Sequence, residues 1–410
     1  MHVLITVVGK RTEHWTDMFA ALCQRPGVEL TLLAADVSAA TVNQLRRLAH
    51  RHPRLRYHIL PHLIGEQLTG HMASVAFRPG ALAGTVGRRP DVVHIIGEAA
   101  YLSTWQATRL RRRWPGVAVT LYAAQNIVMR FPRPFPWIER HSYRVVDHAF
   151  PITPAALDVL RTKGYPGPAT IVPLGVDTTL FQPRSAPPGG ARFTAGFVGR
   201  LEPHKGIGCL LNAAELLDCD LLVVGEGSLR ADVDRAAAKR PGRVTVHGWA
   251  GHETLPTLLG RMDALVLPSV ELVQRNVAPW IGIPLREQFG RVLVEAMACG
   301  VPVVGSDVGE VPHVIGDPGL TFPAGDPLAL ATRLARLRDD PELAARVSAR
   351  GVERAAVEFG WDRIVEAMCR VWTDLADRKP GAPPAAATTL AAGAQAWTTP
   401  YPADRGVKLP

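Results

Sequence analysis

Short apolar runs alternate with helix-like stretches along most of this chain, and that alternation limits the fold more than any other feature. The runs in the amino-terminal half are residues 3–8, 28–33, 92–96, 117–122 and 169–172. A second set begins at Phe193 and continues with residues 221–224, 244–247, 264–267 and 301–304. Buried strands that alternate with helices are typical of doubly wound parallel sheets. The sequence therefore predicts an α/β protein with two Rossmann-like sheets.

A polar segment rich in proline and glycine, residues 182–190, separates the two sets and reads as a linker. We predict a first domain over residues 1–183, a second over 184–355 and a carboxyl-terminal helix over 356–378. The remainder, residues 379–410, is rich in Pro, Ala and Thr and is expected to be a disordered tail. With 410 residues and 47% hydrophobic content, the chain can bury two cores.

The cysteines and the apolar runs favour a cytoplasmic location. The five cysteines are scattered and lack the spacing of metal ligands, so they indicate a reducing compartment without a disulfide framework. No apolar run reaches the roughly 18 to 20 residues that span a bilayer. Residues 1–9 are too short and wrongly flanked for a signal peptide, and we interpret them as the first strand of a sheet.

Two carboxylates around a predicted helix form the most specific chemical pattern. Seven residues separate Glu287 from Glu295, residues 292–298 read as a helix, and Gly300 suits the position just past its end. Gly290 then lies near the helix N-terminus, where free N–H groups and the helix dipole suit a pyrophosphate. Each carboxylate could accept hydrogen bonds from the hydroxyls of a different sugar. A loop glutamate and a glutamate on a solvated helix face are the alternative.

Two cations flank a predicted strand-to-helix turn. Arg200 and Lys205 follow the strand that begins at Phe193, and lysine is rare in this chain. A guanidinium and an ammonium at one loop suit a diphosphate and the charge that grows on it as it leaves. Solvated loop cations are the alternative. Gly225 and Gly227 end the next strand, where they would let a backbone approach a ligand.

Taken together, residues 200–206, 224–230 and 287–305 resemble the donor-binding signatures of the family-four retaining glycosyltransferases, the group 1 glycosyl transferases of GT-B architecture. Residues 121–127 and 172–177 also resemble segments of that family, and the likeness covers almost all of residues 1–378. The resemblance implies two Rossmann-like domains that face each other across a cleft. It also implies that the first domain takes the acceptor, the second the nucleotide sugar, and that the last helix crosses back to the first domain.

The resemblance assigns roles to individual residues. It implies that Arg200 and Lys205 hold the donor diphosphate, that Glu287 contacts the transferred sugar and that Glu295 grips the nucleotide ribose. With Arg200, Lys205 and Glu287 as the catalytic set, the remaining predicted donor contacts are Gly9, Gly225, Gly227, Phe289, Gly290 and Arg291. A long loop ahead of Glu287, residues 274–285, is interpreted as a mobile flap over the donor.

The acceptor side departs from the family pattern. Many relatives carry a histidine at the end of the strand that here leads into Ala123, Ala124 and Gln125. His94 and Glu98 come at the end of the neighbouring strand, and ligands gather at the carboxyl ends of parallel strands. His94, Glu98 and Gln125 are therefore the predicted acceptor-side residues, with a hydrogen-bonded core histidine as the alternative for His94.

The resemblance implies transfer of a hexose from a nucleotide-diphosphate sugar to a hydroxyl acceptor with retention of configuration. It implies no covalent glycosyl-enzyme, no cofactor and no required metal. An epimerase or hydrolase of sugar nucleotides with the same architecture is one alternative, and a non-catalytic glycosyltransferase-like subunit is another. The sugar, the base, the acceptor and the oligomeric state are left open.

The net charge is +9, and two arginine-rich clusters stand out in the first domain. One covers residues 46–56, and the other comprises Arg109 and Arg111 to Arg113, followed by Trp114. Basic residues beside an aromatic ring can hold an enzyme on an anionic membrane surface, so we predict a peripheral contact at the inner face of the membrane. A solvated helix face is the alternative. No nucleic-acid-binding module accompanies the charge, and nucleic acid is not an expected partner.

Overall fold

In a computed structural model, the protein contains two six-stranded sheets in which every strand pairs in parallel. The structure describes residues 1–66, 72–185, 188, 192–278 and 281–378. Part of the predicted linker and the whole predicted tail lie outside these ranges. None of the described helices is long and apolar enough to cross a bilayer.

The first sheet has the order β3-β2-β1-β6-β7-β8. Its strands are β1 (His2–Val8), β2 (Glu29–Ala35), β3 (Leu55–Ile59), β6 (Val92–Ile96), β7 (Ala118–Ala123) and β8 (His148–Pro151), and a separate antiparallel pair is formed by β4 (His62–Ile64) and β5 (Ala76–Phe77). The helices are α1 (Thr16–Gln24), α2 (Ala39–Arg51), α3 (Ala81–Thr85), α4 (Leu102–Thr108), α5 (Leu110–Arg113), α6 (Phe135–Val145) and α7 (Pro154–Thr162). A 3₁₀ turn, Lys10–Trp15, joins β1 to α1.

The second sheet repeats this topology with the order β11-β10-β9-β12-β15-β16. Its strands are β9 (Thr194–Val198), β10 (Asp220–Val224), β11 (Val244–His247), β12 (Ala264–Leu267), β15 (Val303–Ser306) and β16 (Thr321–Phe322). The helices are α8 (Ile207–Leu217), α9 (Arg230–Lys239), α10 (Leu255–Leu259), α11 (Arg291–Ala298), α12 (Val311–Ile315), α13 (Pro327–Asp339) and α14 (Pro341–Glu358). In both sheets the order reverses beside the first strand, and ligands of such sheets bind at that point.

The last helix, α15 (Trp361–Ala376), packs back on the first domain. Its Trp372 is fully buried, and the indole Nε1 donates a hydrogen bond to Thr120 Oγ1 on β7 at 3.2 Å. The chain crosses beside residue 176, where Val176 N–H donates to Phe359 O and Trp361 N–H donates to Val176 O. A Cβ on Gly175 would lie 2.4 Å from the Trp361 ring, so only glycine fits there. The predicted two-domain fold with a returning helix is confirmed.

Three local predictions are wrong. Residues 169–172 form only a bridge from Ala169 to Ala149, because Pro151 of β8 has no N–H to donate to Thr170 O and the ladder stops there. The strands β3 and β8 were not predicted, since β3 is a cationic edge strand and β8 has four residues.

The third error is the predicted loop over residues 274–285, which is an antiparallel hairpin of β13 (Leu272–Ala278) and β14 (Ile281–Leu285). The two strands satisfy each other's backbone groups, which a loop of that length would leave to solvent. Movement of this hairpin over the donor stays a prediction.

His94 lies in the core that joins the first sheet to α15. Its ring is fully buried, its Nδ1 lies 2.8 Å from Thr120 Oγ1, and it packs edge-on against Tyr122, Phe150 and Trp372. Burial lowers the pKa of His94 to about 3. The folded protein therefore keeps this ring neutral at pH values where the unfolded chain is protonated.

This pKa difference predicts a loss of stability in mild acid. Below the unfolded pKa of 6.5 the unfolded state binds a proton that the folded state refuses, so stability falls as the pH drops from about 6.5 toward 3. For His94 alone, the loss at pH 5 should be about 2 kcal/mol. Urea unfolding of the wild type and of His94→Gln at pH 7.5 and 5 checks this. Equal pH dependence of the two proteins would contradict it.

Candidate functional site

A buried ion pair occupies the centre of the second domain's ligand edge. The ammonium of Lys205 donates to Glu287 Oε2 at 2.5 Å, and Ser269 Oγ donates to the same oxygen at 2.9 Å. Burial acts to raise the pKa of Glu287, but the charge and hydrogen bond of Lys205, together with the Ser269 bond, hold that pKa below its usual value. Glu287 is therefore an ionised carboxylate on the inside of the cleft.

Three loops bring these groups together. Lys205 ends the 3₁₀ turn Pro203–Lys205 after β9, Ser269 follows β12, and Glu287 follows the hairpin. The next residue after the turn, Gly206, has φ 66°, and a Cβ there would lie 1.8 Å from Pro268 O. Glycine is thus required for the lysine loop to meet the loop after β12. Arg200 lies in the same lysine loop, two residues beyond the end of β9.

Gly225 and Gly227 serve close packing of two loops. A Cβ on Gly225 would lie 1.9 Å from Gly199 O, and one on Gly227 would lie 2.5 Å from Leu201 O. Leu201 N–H also donates to Glu226 O at 2.8 Å. These glycines hold the Arg200 loop against the loop after β10. Their predicted contact with a donor stays a prediction.

Helix α11 starts at the cleft as predicted. Its N-cap is Gly290, which has φ 80° and forms no side-chain cap, so the first N–H groups of the helix are left for a ligand or solvent. A Cβ on Gly290 would lie 2.7 Å from Leu267 of β12. Phe289 does not face the cleft with its side chain, because its ring is buried edge-on against Phe359. Only its backbone can face a donor.

Glu295 lies inside α11 and belongs to a group of four ionisable side chains, which we call the interdomain charge cluster. Its members are Asp17, His252, Arg291 and Glu295. Glu295 Oε1 lies 3.0 Å from Arg291 Nε, but without the alignment of a hydrogen bond, and 4.0 Å from His252 Nδ1. The side chain of Glu295 is only 7% exposed. Its charge is thus balanced by neighbouring cations while its oxygens keep capacity to accept further hydrogen bonds.

On the first domain, the structure places two of the predicted residues at the ligand edge of the sheet. Gly9 follows β1 with φ 90°, and its N–H donates to Ala35 O at 3.0 Å. Glu98 follows β6, and its Oε1 accepts from the N–H groups of Ala124 and Gln125 at 2.8 and 2.9 Å. Burial is the main cause that raises the pKa of Glu98. The Glu98 carboxylate therefore fixes the loop after β7 by accepting hydrogen bonds from two backbone N–H groups of that loop.

His94 and Gln125 are both buried, so the Nε2 atom of each, which has no hydrogen-bond partner among the described residues, is covered by protein and not open to an acceptor. His94 is part of the core beneath α15, so its predicted cleft position is wrong and the alternative of a core histidine holds. Gln125 is buried, and its Oε1 accepts from Lys163 at 2.9 Å. The Lys163 ammonium also pairs with Glu139 at 2.7 Å. The strand end that carries a histidine in many relatives is here filled by this Gln125–Lys163–Glu139 group.

Several residues that join the two domains were not predicted. Asn126 Nδ2 donates to Glu287 O at 2.9 Å, and Asp17 contacts His252 and Arg291. Glu310 lies against Thr153 of the first domain, and burial raises its pKa to about 7 against the opposing effect of Arg286. No local pattern marks these residues, because each partner lies more than 150 positions away in sequence. Only the approach of the two sheets brings them together.

The fold and site define a two-domain protein of the GT-B type. The sequence profile of the family described as "Glycosyl transferases group 1" matches residues 192–340. The D-inositol 3-phosphate glycosyltransferase of Thermomonospora curvata is 33% identical over 229 residues, which cover 50% of this chain and 52% of that protein. This chain thus spans about half the length of that curated relative.

Two solved structures show the same fold. Sucrose-phosphate synthase from Thermosynechococcus elongatus superposes with a TM-score of 0.69 at 20% identity, over 92% of this chain and 99% of that one. The Anabaena protein HepE, solved in complex with UDP and glucose, superposes with a TM-score of 0.66 at 18% identity, over 91% of this chain and 100% of that one. Residues 192–340 of this chain are therefore similar to the group 1 glycosyl transferases, and the chain as a whole shares the fold of these two structures.

Proposed function

We propose that this protein is a retaining, metal-independent hexosyltransferase that moves a sugar from a nucleotide-diphosphate sugar to a hydroxyl acceptor. The observation that carries the proposal is the ionised Glu287 held by Lys205 and Ser269, directly ahead of the open N-terminus of α11. A carboxylate for sugar hydroxyls and a cationic, dipolar site for a diphosphate are thus adjacent. HepE, with the same fold, was solved with UDP and glucose, which supports a nucleotide donor here.

The proposed chemistry follows from charge. Departure of the nucleotide concentrates negative charge on the diphosphate, and Arg200, Lys205 and the α11 N-terminus would stabilise that charge. These groups would do the work of a cation, so we propose that no metal is required. The leaving diphosphate would accept the proton of the attacking hydroxyl on the same face of the sugar. Retention of configuration, the absence of a covalent glycosyl-enzyme and the cytoplasmic location are parts of this proposal.

The direct test is incubation with UDP-, GDP- and ADP-hexoses, with and without candidate acceptors, in the presence of EDTA. We expect a glycosylated product only with an acceptor, and NMR of the new linkage should show the anomeric configuration of the donor. Free sugar or an isomerised nucleotide sugar without acceptor would favour the hydrolase or epimerase alternative. If nucleotide sugars bind but none of them is converted, the result would favour a non-catalytic subunit.

Arg200→Ala and Lys205→Ala should each lower turnover by about 100-fold or more, because their charges matter most as the diphosphate leaves. Lys239→Ala, at an exposed lysine on α9 of the same domain, is the matched control and should keep the wild-type rate. Steady-state kinetics on folded variants, checked by circular dichroism, measures the effect. If both site variants kept near-normal rates, the proposal that Arg200 and Lys205 bind the diphosphate would be wrong.

Glu295→Ala should weaken binding of the nucleotide sugar by about 1 to 3 kcal/mol, because the ribose hydroxyls would lose their buried acceptor. Isothermal titration calorimetry with the preferred nucleotide measures this. Glu342→Ala is a suitable control, since Glu342 lies on α14 with a side chain that is 90% exposed. Equal affinities of Glu295→Ala and wild type would place the ribose elsewhere.

Peripheral contact with an anionic membrane is also proposed, but on different residues from those the sequence favoured. The guanidinium of Arg111 donates to Val117 O and Val145 O and pairs with Asp147, so it is a structural group. The first cluster, residues 46–56, lies on α2 and β3, and β3 is the sheet edge opposite β8. The two clusters therefore do not form one surface.

A better surface lies on α4, α5 and α6 and comprises Trp105, Arg109, Arg112, Trp137, Arg140 and Arg144, which we call the Trp–Arg face. Trp137 is 55% exposed and lies 6.1 Å from Trp105, and the Arg109 guanidinium stacks over Trp105 at 4.7 Å. The four arginines are exposed and have no carboxylate within 4 Å among the residues that the structure describes.

This composition fits an anionic bilayer. Tryptophan favours the headgroup region, and unpaired arginines are attracted to anionic lipid. The loop that starts with Asn126 at the cleft leads directly into α6 and thus to the Trp–Arg face. A bound membrane would therefore lie next to the acceptor side of the cleft.

Flotation should recover the protein with vesicles of phosphatidylglycerol and phosphatidylcholine at low salt, and not with phosphatidylcholine alone. Binding should fall at 0.5 M salt, because the Debye length shortens from roughly 10 Å at 0.1 M. The triple variant Trp137→Ala, Arg140→Glu, Arg144→Glu should lose binding, whereas Arg46→Glu, Arg47→Glu, Arg51→Glu should retain it. Equal recovery of both variants, or no recovery of wild type, would contradict the Trp–Arg face.

A further inference from the structure

The interdomain charge cluster is the part of the cleft in which the two domains share buried charges. Asp17 at the start of α1 comes from the first domain, and His252, Arg291 and Glu295 come from the second. The side chains of Asp17, Arg291 and Glu295 are 13%, 14% and 7% exposed. Charges at this depth are held only when they are paired, so the arrangement depends on the domains being together.

Asp17 makes two side-chain contacts across the cleft in this cluster. Its Oδ2 accepts from Arg291 Nη2 at 2.5 Å and lies 2.9 Å from His252 Nε2. The same arginine donates through Nη1 to His14 O at 2.7 Å, which ties it to the 3₁₀ turn that follows Gly9. Arg291 therefore joins the loop after β1 to the helix that carries Glu295.

Arg291 and His252 of the second domain lie beside both Glu295 and Asp17. Arg291 and Glu295 are one helical turn apart on α11, and His252 Nδ1 lies 4.0 Å from Glu295 Oε1, the same oxygen that Arg291 Nε approaches. Burial acts to lower the pKa of His252, but the hydrogen bond and charge of Asp17 outweigh it and raise that pKa. Asp17 thus holds Arg291 and His252 in place and favours the protonated form of His252.

We propose that Asp17 is a positioning residue for the donor. Asp17 lies on the first domain and holds Arg291 and His252 of the second domain. Glu295 is therefore placed to accept the ribose hydroxyls only when the cleft is closed. Removal of Asp17 would leave Arg291 and His252 without their interdomain carboxylate, so they would move toward Glu295 and compete for its oxygens. The role of Glu295 in this inference rests on the proposed function. The contact of Asp17 with Arg291 and His252 is independent of that function.

The test uses Asp17→Asn, which keeps the shape of the side chain and removes its charge, with Glu13→Gln in the same segment as a matched control. We expect a donor Kd about tenfold weaker for Asp17→Asn, with kcat at saturating donor within about threefold of wild type. A merely structural role would lower the active fraction and leave the Kd unchanged. Asp17→Glu, which keeps the charge, should recover most of the affinity, and Glu13→Gln should match wild type.

Two further measurements separate the possible failures. Small-angle X-ray scattering without donor should give a larger radius of gyration for Asp17→Asn than for wild type, and an unchanged radius would overturn the interdomain contact. The double variant Asp17→Asn, Arg291→Gln should bind donor no more weakly than the weaker single variant. Fully additive losses, or an unchanged Kd in Asp17→Asn, would overturn the positioning role. Failure of wild type to bind any nucleotide sugar would instead overturn the proposed function.

Discussion

The buried carboxylate of Glu287 is the group on which the arrangement of the cleft depends. A charge in that position is stable only if cations and donors reach it, and they come from separate loops of the second sheet. Lys205 is supplied after β9 and Ser269 after β12, while the backbone oxygen of Glu287 accepts from Asn126 of the first domain. The contacts of Glu287 therefore set the relative positions of the loop after β9, the loop after β12, its own loop and the facing domain.

The loops can meet at this point because small residues allow their backbones to touch. Gly206 lies against the carbonyl of Pro268, and Gly225 lies against that of Gly199. A side chain at either position would push a loop outward and separate Lys205 from Glu287. Glycine thus acts here by permitting close packing of protein backbone, which also leaves the cations on a rigid support. Rigid placement of charge is what electrostatic stabilisation of a leaving group requires.

The interface between the domains is polar in the cleft and apolar at the crossing of the chain. In the cleft, Asp17 meets Arg291 and His252, and Asn126 meets Glu287. At the crossing, Trp361 packs on Gly175. The polar contacts in the cleft can be exchanged for contacts with a ligand or water. The apolar contacts at the crossing would only be exposed to water if they separated. This division favours a cleft that opens and closes around a fixed crossing point.

The sequence by itself determined the two Rossmann-like domains and most of their strands, the place of Glu287, Gly290 and Glu295 relative to α11, and the place of Lys205 in the turn after β9. These follow from local hydrophobic pattern, glycine positions and helix-end chemistry, which act over a few residues. The same local rules misread the hairpin before Glu287, because its strands pair with each other and with neither main sheet.

Only the tertiary structure decided which polar groups are buried together. His94 follows the pattern of a strand-end residue, yet α15 covers it with Trp372, a residue 278 positions later. The sequence suggests that Arg111 is a surface cation, yet its guanidinium pairs with Asp147 and donates hydrogen bonds to two backbone carbonyls. Asp17 acquires its partners only when the second domain approaches. Burial and charge pairing depend on residues distant in sequence, and no local pattern encodes that distance.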